Sequence, residues 1–563
     1  MRHSSESCFI RPGMVCVALL GFAAPLVVGC SKPGNSSPSF QLNTQNEDPN
    51  RYKLVGTPEE LQVKETLNIP GRQYIADALV AMFGTPDRPY VFRESGLDLK
   101  KIRLASGPVG GLPPEVQKEE LDALVKRYGA LKEGLAKFEA AAKESAAKAA
   151  PAEAAVKAAE PKLAAAKTAK NAAEIASLEK EIATHKPLLD AKAADAAALA
   201  LHNNEIADLD FEIKSYSVAQ KGLYRQHCSH CHGTTGGGDG PTALFLNPYP
   251  RDYRQGKFKF KSTERDAKPT TADLRRILVD GINDTAMPTV GLLPPDEIDA
   301  LVEYVKYLAI RGQTEQALKD KIFGDEKVPN VEQGGGRAML VSEILQPIVD
   351  GWNEAESKVI VPTADSYKPD PDRTKWLAEG AALFAGDRAK CYSCHGTTGL
   401  GDGRKASEPL FDDWNKDKKF AATKLLIAAA VEKGNTADAT RLTNIMHSWD
   451  LPEQQQKPRN LRLNRFRFGR APLDLYRRIY AGINGTEMPG AGKPGAEGNA
   501  EKKLTEREYW QLVDYVLALP YFNEHGKLPL IDGSSPHGPA AAQPVPGHAS
   551  VSPAPMTPAA PSE

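Results

Sequence analysis

Two stretches of the chain carry mostly apolar residues at alternating spacings of three and four positions. The first stretch consists of Leu121, Leu124, Tyr128, Leu131, Leu135 and Phe138, and the second of Leu199, His202, Ile206, Leu209, Ile213 and Tyr216. This spacing places each set on one face of a helix. Paired in reverse order, the positions sum to 337, which is the register of an antiparallel helical hairpin that turns near Thr168–Asn171.

The predicted hairpin occupies residues 115–216 and becomes alanine-rich towards its tip. Ala fills 27 of the 61 positions from 140 to 200, so the tip is expected to be thin. Pro151, Pro161 and Pro187 are expected to kink or interrupt the helices, since Pro lacks a backbone N–H and clashes inside a helix. We interpret the hairpin as an interaction arm or spacer, with a charged linker that binds no partner as the alternative.

Helical spacing also appears in a pair of shorter segments that lie 211 positions apart. The first segment carries Ile298, Leu301, Val302, Val305 and Leu308, and the second carries Tyr509, Leu512, Val513, Val516 and Leu519. Thr505 and Glu508 form a capping box at the start of the second segment. Further helices are predicted around 74–83, 338–357 and 421–433. The pattern indicates an all-α fold.

The two segments end a longer internal repeat, whose copies we call the first unit (217–311) and the second unit (373–532). The copies share a Cys-x-x-Cys-His motif, a Gly-Thr-Thr-Gly loop, a Pro-Arg…Phe-x-Phe segment, a Gly-Ile-Asn turn and a Met-Pro pair. The motif residues are Cys228, Cys231 and His232 in the first unit and Cys391, Cys394 and His395 in the second. The Met-Pro pairs begin at Met287 and Met488. The second unit also carries an insertion at about 412–457.

The Cys-x-x-Cys-His spacing has a chemical reason. Two thiols three positions apart on a short helix can form thioethers with the two vinyl groups of haem, and the adjacent His can then bind the iron. Zinc binding is the main alternative and needs four such ligands. A thioredoxin-like dithiol would require a βαβ pattern, which is absent.

The order of these motifs resembles class I cytochrome c over about 217–311 and 373–523. The resemblance implies an all-helical fold around one covalently bound haem c in each unit, with the terminal helices packed crosswise. It implies thioether bonds at the four motif cysteines, and iron ligation by His232 and Met287 in the first unit and by His395 and Met488 in the second. Met446 and His447 are competing ligands in the second unit without counterparts in the first.

The N-terminus predicts an export signal. Arg2, His3 and Arg11 precede an apolar run of about 15 residues, which is shorter than the roughly 20 residues of a membrane-spanning helix. The run ends Leu-Val-Val-Gly-Cys30, which resembles the lipobox of bacterial lipoproteins and implies cleavage and diacylation at Cys30. An uncleaved signal anchor is the alternative.

The predicted domain order combines these features. It consists of a signal at 1–29, a tether at 30–51, a mixed segment at 52–114, the hairpin, the first unit, a linker with a helix at 312–372, the second unit and a disordered tail at 533–563.

The charge of the chain limits the classes of binding partner that are expected. The chain balances 71 Lys and Arg against 72 Asp and Glu, so a nucleic-acid partner is not expected. The two units together carry a net charge of +7. Basic residues crowd both Phe-x-Phe segments, where they could pair with haem propionates or steer an acidic redox partner; they are Arg251, Arg254, Lys257, Lys259 and Lys261, and Arg459, Arg462, Arg465, Arg467 and Arg470.

These observations predict a non-enzymatic electron carrier with two haem c groups, anchored by lipid on the periplasmic side of the cytoplasmic membrane. It would relay single electrons between a donor and an acceptor protein, as a subunit or partner of a respiratory complex that oxidises quinol, of a dehydrogenase or of a terminal oxidase. A dihaem enzyme of the peroxidase type is one alternative, and it requires an open ligand position on one haem. A structural docking subunit that merely retains haem is the other.

Overall fold

The computed structural model describes residues 69–324, 335–405, 410–411, 430–437, 439–440, 454–496 and 503–522. Several predicted features lie outside these residues: the signal, Cys30, the tether, the tail, Met446 and His447, and most of the insertion. Among the described residues, no helix is both long and apolar enough to span a membrane. The predicted all-α fold class is confirmed, since the only strands described are the two-residue pair β1 (Leu410–Phe411) and β2 (Gln455–Gln456), which run antiparallel.

The first part of the chain, up to residue 353, contains the hairpin and the first unit. Its helices are α1 (Ile69–Phe83), α2 (Leu99–Ala105), α3 (Pro114–Thr168), α4 (Ala172–Ser215), α5 (Leu223–His227), α6 (Ser229–His232), α7 (Thr271–Asp280), α8 (Pro295–Gly324), α9 (Gly335–Met339) and α10 (Gln346–Asn353). A π-helical turn, Leu340–Leu345, joins α9 to α10. The second unit contains α11 (Arg373–Ala385), α12 (Tyr392–His395), α13 (Pro472–Ala481) and α14 (Glu506–Ala518).

The helices α3 and α4 form the antiparallel hairpin. His202 stacks on Phe138 at 4.3 Å between ring centroids, and Tyr216 donates a hydrogen bond to Glu120 at 3.0 Å. Towards the tip, buried alanines such as Ala149 and Ala159 let the helix backbones approach closely. The three prolines lie within continuous helices, so the expected interruption does not occur. Each proline removes one ladder hydrogen bond, and pairing of the two helices along their length sustains the rest.

The hairpin is inserted within the first unit rather than placed before it. Backbone hydrogen bonds join its exit to the end of α2: Lys221 donates to the Leu104 carbonyl at 3.1 Å, and Gly222 donates to the Ser106 carbonyl at 2.9 Å. In the second unit, α11 leads without interruption towards its Cys-x-x-Cys-His motif. In the first unit, α2 and α5 supply the two halves of this helix, and the hairpin separates them.

Two further features show that α2 corresponds to the first half of α11. Asp98 caps α2 by accepting from two backbone N–H groups, and Asp372 caps α11 in the same way. Four residues after each cap lies a fully buried side chain, Ile102 in one unit and Trp376 in the other. The first unit therefore includes α1 and α2, which the sequence analysis assigned to a separate mixed segment at 52–114.

The core of the first unit also extends beyond residue 311. The helix α8 runs unbroken through this position, which the sequence analysis gave as the end of the unit. Leu318 and Ile322 on its second half are fully buried and belong to the same apolar cluster as Leu301 and Ile75. The α9–α10 segment packs against this cluster through Ile344 and Val349, so much of the predicted linker is part of the first unit's core.

The second unit is built around the packing of α11 against α14. Trp376 and Phe384 on α11 contact a cluster that includes Tyr509 and Val513 on α14. Gly380 lies at the closest approach of these helices. A Cβ atom there would lie 2.4 Å from the carbonyl oxygen of Gln511, so only glycine allows this separation.

Equivalent segments of the two units meet in one interface. Phe260 stacks on its repeat counterpart Phe468 at 5.9 Å between centroids. Arg276 on α7 forms a bidentate ion pair with Asp474 on α13, at 2.7 and 2.9 Å. A residue thus pairs here with its own repeat equivalent, so the interface joins corresponding segments of the two units.

Candidate functional site

Each Cys-x-x-Cys-His motif folds into a helical turn of its own. The backbone N–H of His232 donates to the Cys228 carbonyl at 2.9 Å, and that of His395 donates to the Cys391 carbonyl at 2.9 Å. This turn brings the two thiols and the imidazole of each motif together. No disulfide joins any of the four motif cysteines.

A backbone carbonyl orients each histidine. The Nδ1 atom of His232 lies 3.0 Å from the Arg251 carbonyl oxygen, and Nδ1 of His395 lies 3.0 Å from the Arg459 carbonyl oxygen. A proton assigned to Nδ1 for this hydrogen bond leaves Nε2 with its lone pair available to a metal. The matching Pro-Arg pairs are visible in the sequence, but this role is not, because a carbonyl acceptor leaves no side-chain signature.

Burial keeps both imidazoles neutral at neutral pH. It lowers the pKa of His232 to about 4, and it also lowers the pKa of His395. A neutral imidazole is the form that binds iron. Tyr253 stacks on the His232 ring at 4.5 Å and holds its plane.

Burial has the opposite effect on the thiols. It raises the pKa of Cys228 to about 12 and that of Cys391 to about 11. A catalytic dithiol of the thioredoxin type needs a lowered thiol pKa, so this environment disfavours that alternative. Within the part of the chain that the structure describes, no cluster of three or more His, Cys, Asp and Glu side chains could hold a metal ion.

The two methionine loops have the same hydrogen bonds. In the first unit, Thr285 Oγ1 accepts from the backbone N–H of Met287 at 3.1 Å and donates to the Ile282 carbonyl at 2.8 Å. In the second, Thr486 Oγ1 accepts from Met488 at 3.2 Å and donates to Ile483 at 2.9 Å. These threonines were not predicted from the sequence, although each lies two positions before its methionine.

A glycine lets each methionine loop close onto the preceding helix. Gly281 and Gly482 follow α7 and α13 with φ of +66° and +69°. A Cβ atom would lie 2.9 Å from the Met287 carbonyl oxygen at the first position and 2.5 Å from that of Met488 at the second. Both features require glycine, which explains the repeated Gly-Ile-Asn turn.

In the first unit, the predicted ligands line one cavity. Cys228, Cys231 and His232 lie on its wall together with Met287. The remaining wall is mostly apolar; it includes Tyr253, Phe258, Leu274, Leu278, Ile282, Val302 and Val305. Paired thiols, a neutral imidazole and a soft thioether around an apolar cavity fit a covalently attached haem with His and Met ligands.

The described residues of the second unit show the same motif turn, histidine hydrogen bond and methionine loop. His395 lies beside Phe384, with 6.5 Å between ring centroids. The predicted ligands Cys391, Cys394, His395 and Met488 therefore lie on local structures that match those of the first unit. Met446 and His447 lie outside the described residues.

The fold and this site define a c-type cytochrome domain, and comparison with known families agrees. Residues 219–305 match the family model of cytochrome c oxidase, cbb3-type, subunit III. The chain thus contains a cytochrome c domain, which implies covalently bound haem c and electron transfer. The match begins just after the hairpin, and therefore omits α1 and α2.

No curated protein is significantly similar to the chain. Among solved structures, a chain of the Kuenenia stuttgartiensis reducing HAO-like protein complex is 22% identical, with 53% of this chain and 93% of that chain covered, at a TM-score of 0.33. At that score the likeness supports no argument about fold or function.

Proposed function

We propose that the chain is a dihaem cytochrome c that relays single electrons between two protein partners. The observation that carries the proposal is the repetition of one site. Each unit has a Cys-x-x-Cys-His turn, a histidine held at 3.0 Å by the carbonyl of a Pro-Arg pair, and a methionine loop braced by a threonine. Structural equivalence at this level supports a haem in both units.

The residues would hold the cofactors as follows. Cys228 and Cys231 would form thioethers in the first unit, as Cys391 and Cys394 would in the second. When bound, haem c supplies an iron that changes valence by one electron without releasing a ligand.

His232 and Met287 would bind the iron in the first unit, and His395 and Met488 would bind it in the second. Such a pair leaves no open position for a substrate, which favours a carrier over a peroxidase. Because a thioether is soft and neutral, the methionines would also raise the reduction potential.

Contact between the methionine loops and the facing unit supports electron transfer within the chain. Arg265 of the first unit donates to the Met488 carbonyl at 2.9 Å. Asp284, in the Met287 loop, forms ion pairs with Arg459 at 3.0 Å and Arg465 at 3.3 Å. Both proposed sites therefore adjoin the shared interface, so an electron entering one unit has a short protein path to the other.

The proposal includes export and attachment to the membrane by lipid on Cys30, on the periplasmic side. The lipobox-like sequence supports it, and two acyl chains suffice for stable anchoring. Donor and acceptor would be redox proteins, and the chain would serve as a subunit or partner of a respiratory complex. The inserted hairpin supplies a long projecting surface for such an assembly.

Haem stoichiometry tests the core of the proposal. The exported wild-type chain should contain two haems, and the double variants C228A/C231A and C391A/C394A should each contain one, measured by haem absorbance against protein mass. One haem in the wild type would refute the dihaem proposal. Rapid stoichiometric binding of carbon monoxide to the reduced protein would instead favour a dihaem enzyme.

Two further measurements test the proposed membrane attachment and the association with redox partners. Mass spectrometry of the mature chain should show a diacylated N-terminal Cys30, and a Cys30→Ser variant should leave the membrane fraction. Purification from detergent-solubilised membranes should retain the electron donor or acceptor. A fully soluble wild-type chain would refute the anchor.

A further inference from the structure

The basic residues of the second unit's Phe-x-Phe segment divide into two groups in the structure. Arg459 and Arg465 form ion pairs with Asp284 across the interface. Arg467 crosses the same interface, but its side chain lines the cavity of the first unit, on whose wall His232 and Met287 also lie. A residue of one unit thus contributes to the site of the other.

The guanidinium of Arg467 lacks a carboxylate partner of its own. One terminal nitrogen donates to the backbone carbonyl of Asp284 at 3.3 Å, while Nε is buried and makes no hydrogen bond within the described structure. The carboxylate of Asp284 is already bound by two other arginines, Arg459 and Arg465. Burial and the neighbouring Arg459 lower the pKa of Arg467, and Asp284 offsets this only in part.

The cavity has an uneven charge distribution. Three cationic side chains, Arg251, Lys259 and Arg467, contribute to its wall, and no Asp or Glu does so among the described residues. The half-buried guanidinium of Arg467 needs an anionic partner, since desolvation of its charge is costly. An occupant that is apolar over most of its surface and carries carboxylates at one edge meets both demands, and haem has this character.

We propose that Arg467 of the second unit binds a propionate carboxylate of the haem held by the first unit. This inference rests on the proposed function and deepens it, because it makes the first haem's environment depend on the position of the second unit. The planar guanidinium has its Nε and a terminal nitrogen on one edge, the geometry that a carboxylate accepts best. Arg467 is then a positioning residue that also tunes the reduction potential.

The main test is a redox titration of the haem-loaded full chain carrying Arg467→Gln. Oxidised haem is one unit more positive than reduced haem, so loss of a nearby cation favours oxidation. One of the two midpoint potentials should fall, with a threefold to tenfold change in the reduction equilibrium, or about 30–60 mV for one electron. Combination with Met488→His, which lowers the second unit's potential, should assign the affected step to the first unit.

The pH dependence supplies a second readout that a structural role would not change. A carboxylate paired with Arg has a lowered pKa, and without the pair its pKa rises towards the ordinary range or above. The affected midpoint should therefore fall with increasing pH between about 5 and 7 in Arg467→Gln and be flatter in the wild type. Arg467→Lys keeps the charge and should retain most of the wild-type potential.

Arg465→Gln is the matched control, since Arg465 also contacts Asp284 at the interface but does not line the cavity. It should leave both potentials unchanged. Equal shifts in Arg465→Gln and Arg467→Gln would overturn the proposal in favour of a general loosening of the interface. Unchanged potentials and pH profile in fully loaded Arg467→Gln would refute this inference alone, whereas a wild-type chain without haem in the first unit would refute the proposed function as well.

Discussion

Gly380 offers a quantitative test of how the second unit is packed. It is buried on α11 at the crossing with α14, and an added Cβ would lie 2.4 Å from the Gln511 carbonyl oxygen and 2.9 Å from the Tyr515 Cβ. Both neighbours belong to the backbone or its first side-chain atom, so neither can rotate away. Real Cβ contacts essentially never fall below 3.0 Å. The Gly380→Ala variant must therefore separate the helices by at least about 0.6 Å.

This separation has a calculable cost. A gap of roughly 0.5–1 Å forfeits about a quarter to a half of the dispersion energy of each contact across it. The contacts at risk include those of Trp376 and Val513, which are fully buried. Overpacking of this kind typically costs about 1–3 kcal/mol, and the better helix propensity of Ala returns up to about 1 kcal/mol. We expect Gly380→Ala to lower the free energy of unfolding of the second unit by about 1–2 kcal/mol.

Urea unfolding followed by tryptophan fluorescence and haem absorbance should measure this loss. The control is Gly129→Ala, which makes the same substitution inside α3, where an added Cβ meets nothing within 4 Å. There Ala should stabilise the hairpin by about 0.5–1 kcal/mol through propensity alone. A Gly380→Ala protein as stable as the wild type would show that the two helices do not pack as closely as described.

Four further predictions follow from particular contacts. Met287→Ala should open one axial position, so that the reduced protein binds one equivalent of carbon monoxide in an optical titration; no binding would argue against Met287 as a ligand. Arg276→Gln breaks the pair with Asp474, whose side chain is 7% exposed against 36% for Arg276, and should cost about 1 kcal/mol in denaturant unfolding, after discounting for exposure. Burial raises the pKa of Glu212 above 4.5, so ionisation of this carboxylate destabilises the fold as pH rises through the raised value. Glu212→Gln should therefore stabilise the chain at pH 7 and have no effect below about pH 4, and urea unfolding at both pH values would measure this. Replacing residues 141–198 by a short Gly-Asn loop should shorten the arm by about 40 Å in small-angle scattering without changing haem content, because the contacts at the hairpin base remain.

Most of the candidate site could be predicted from the repeated motifs, because each motif is defined by a few neighbouring residues. Three such features occur twice, each within a short segment of sequence: a Cys-x-x-Cys-His turn, a glycine before a methionine loop and an amphipathic terminal helix. The hairpin was predictable for a similar reason, since heptad spacing directly reflects helix pairing. The threonines that brace Met287 and Met488 were equally local, and comparison of the two repeats could have found them.

The insertion of the hairpin within a helix could not be read from local pattern. Only five helical residues, Leu223–His227, precede the first motif, whereas thirteen, Arg373–Ala385, precede the second. This shortfall was a signal that half of a helix was missing. Its other half, α2, lies more than 100 positions upstream, and the two halves are joined by packing against α8 and by backbone hydrogen bonds from Lys221 and Gly222. The caps at Asp98 and Asp372 are similar, but one capping residue is too weak a pattern to align alone.

The interface between the units shows why duplication did not produce interchangeable halves. Arg276 pairs with Asp474, but their repeat counterparts, Arg477 and Asp273, do not reproduce this ion pair in the contacts described. Arg477 donates to the Ile360 carbonyl at 3.0 Å, and Asp273 accepts from Ser262 at 2.9 Å.

The close ion pair therefore forms at only one of the two equivalent positions, although the stack of Phe260 on Phe468 joins equivalent residues. This asymmetry gives each unit a different set of neighbouring charges, which is the physical requirement for two similar sites to differ in potential.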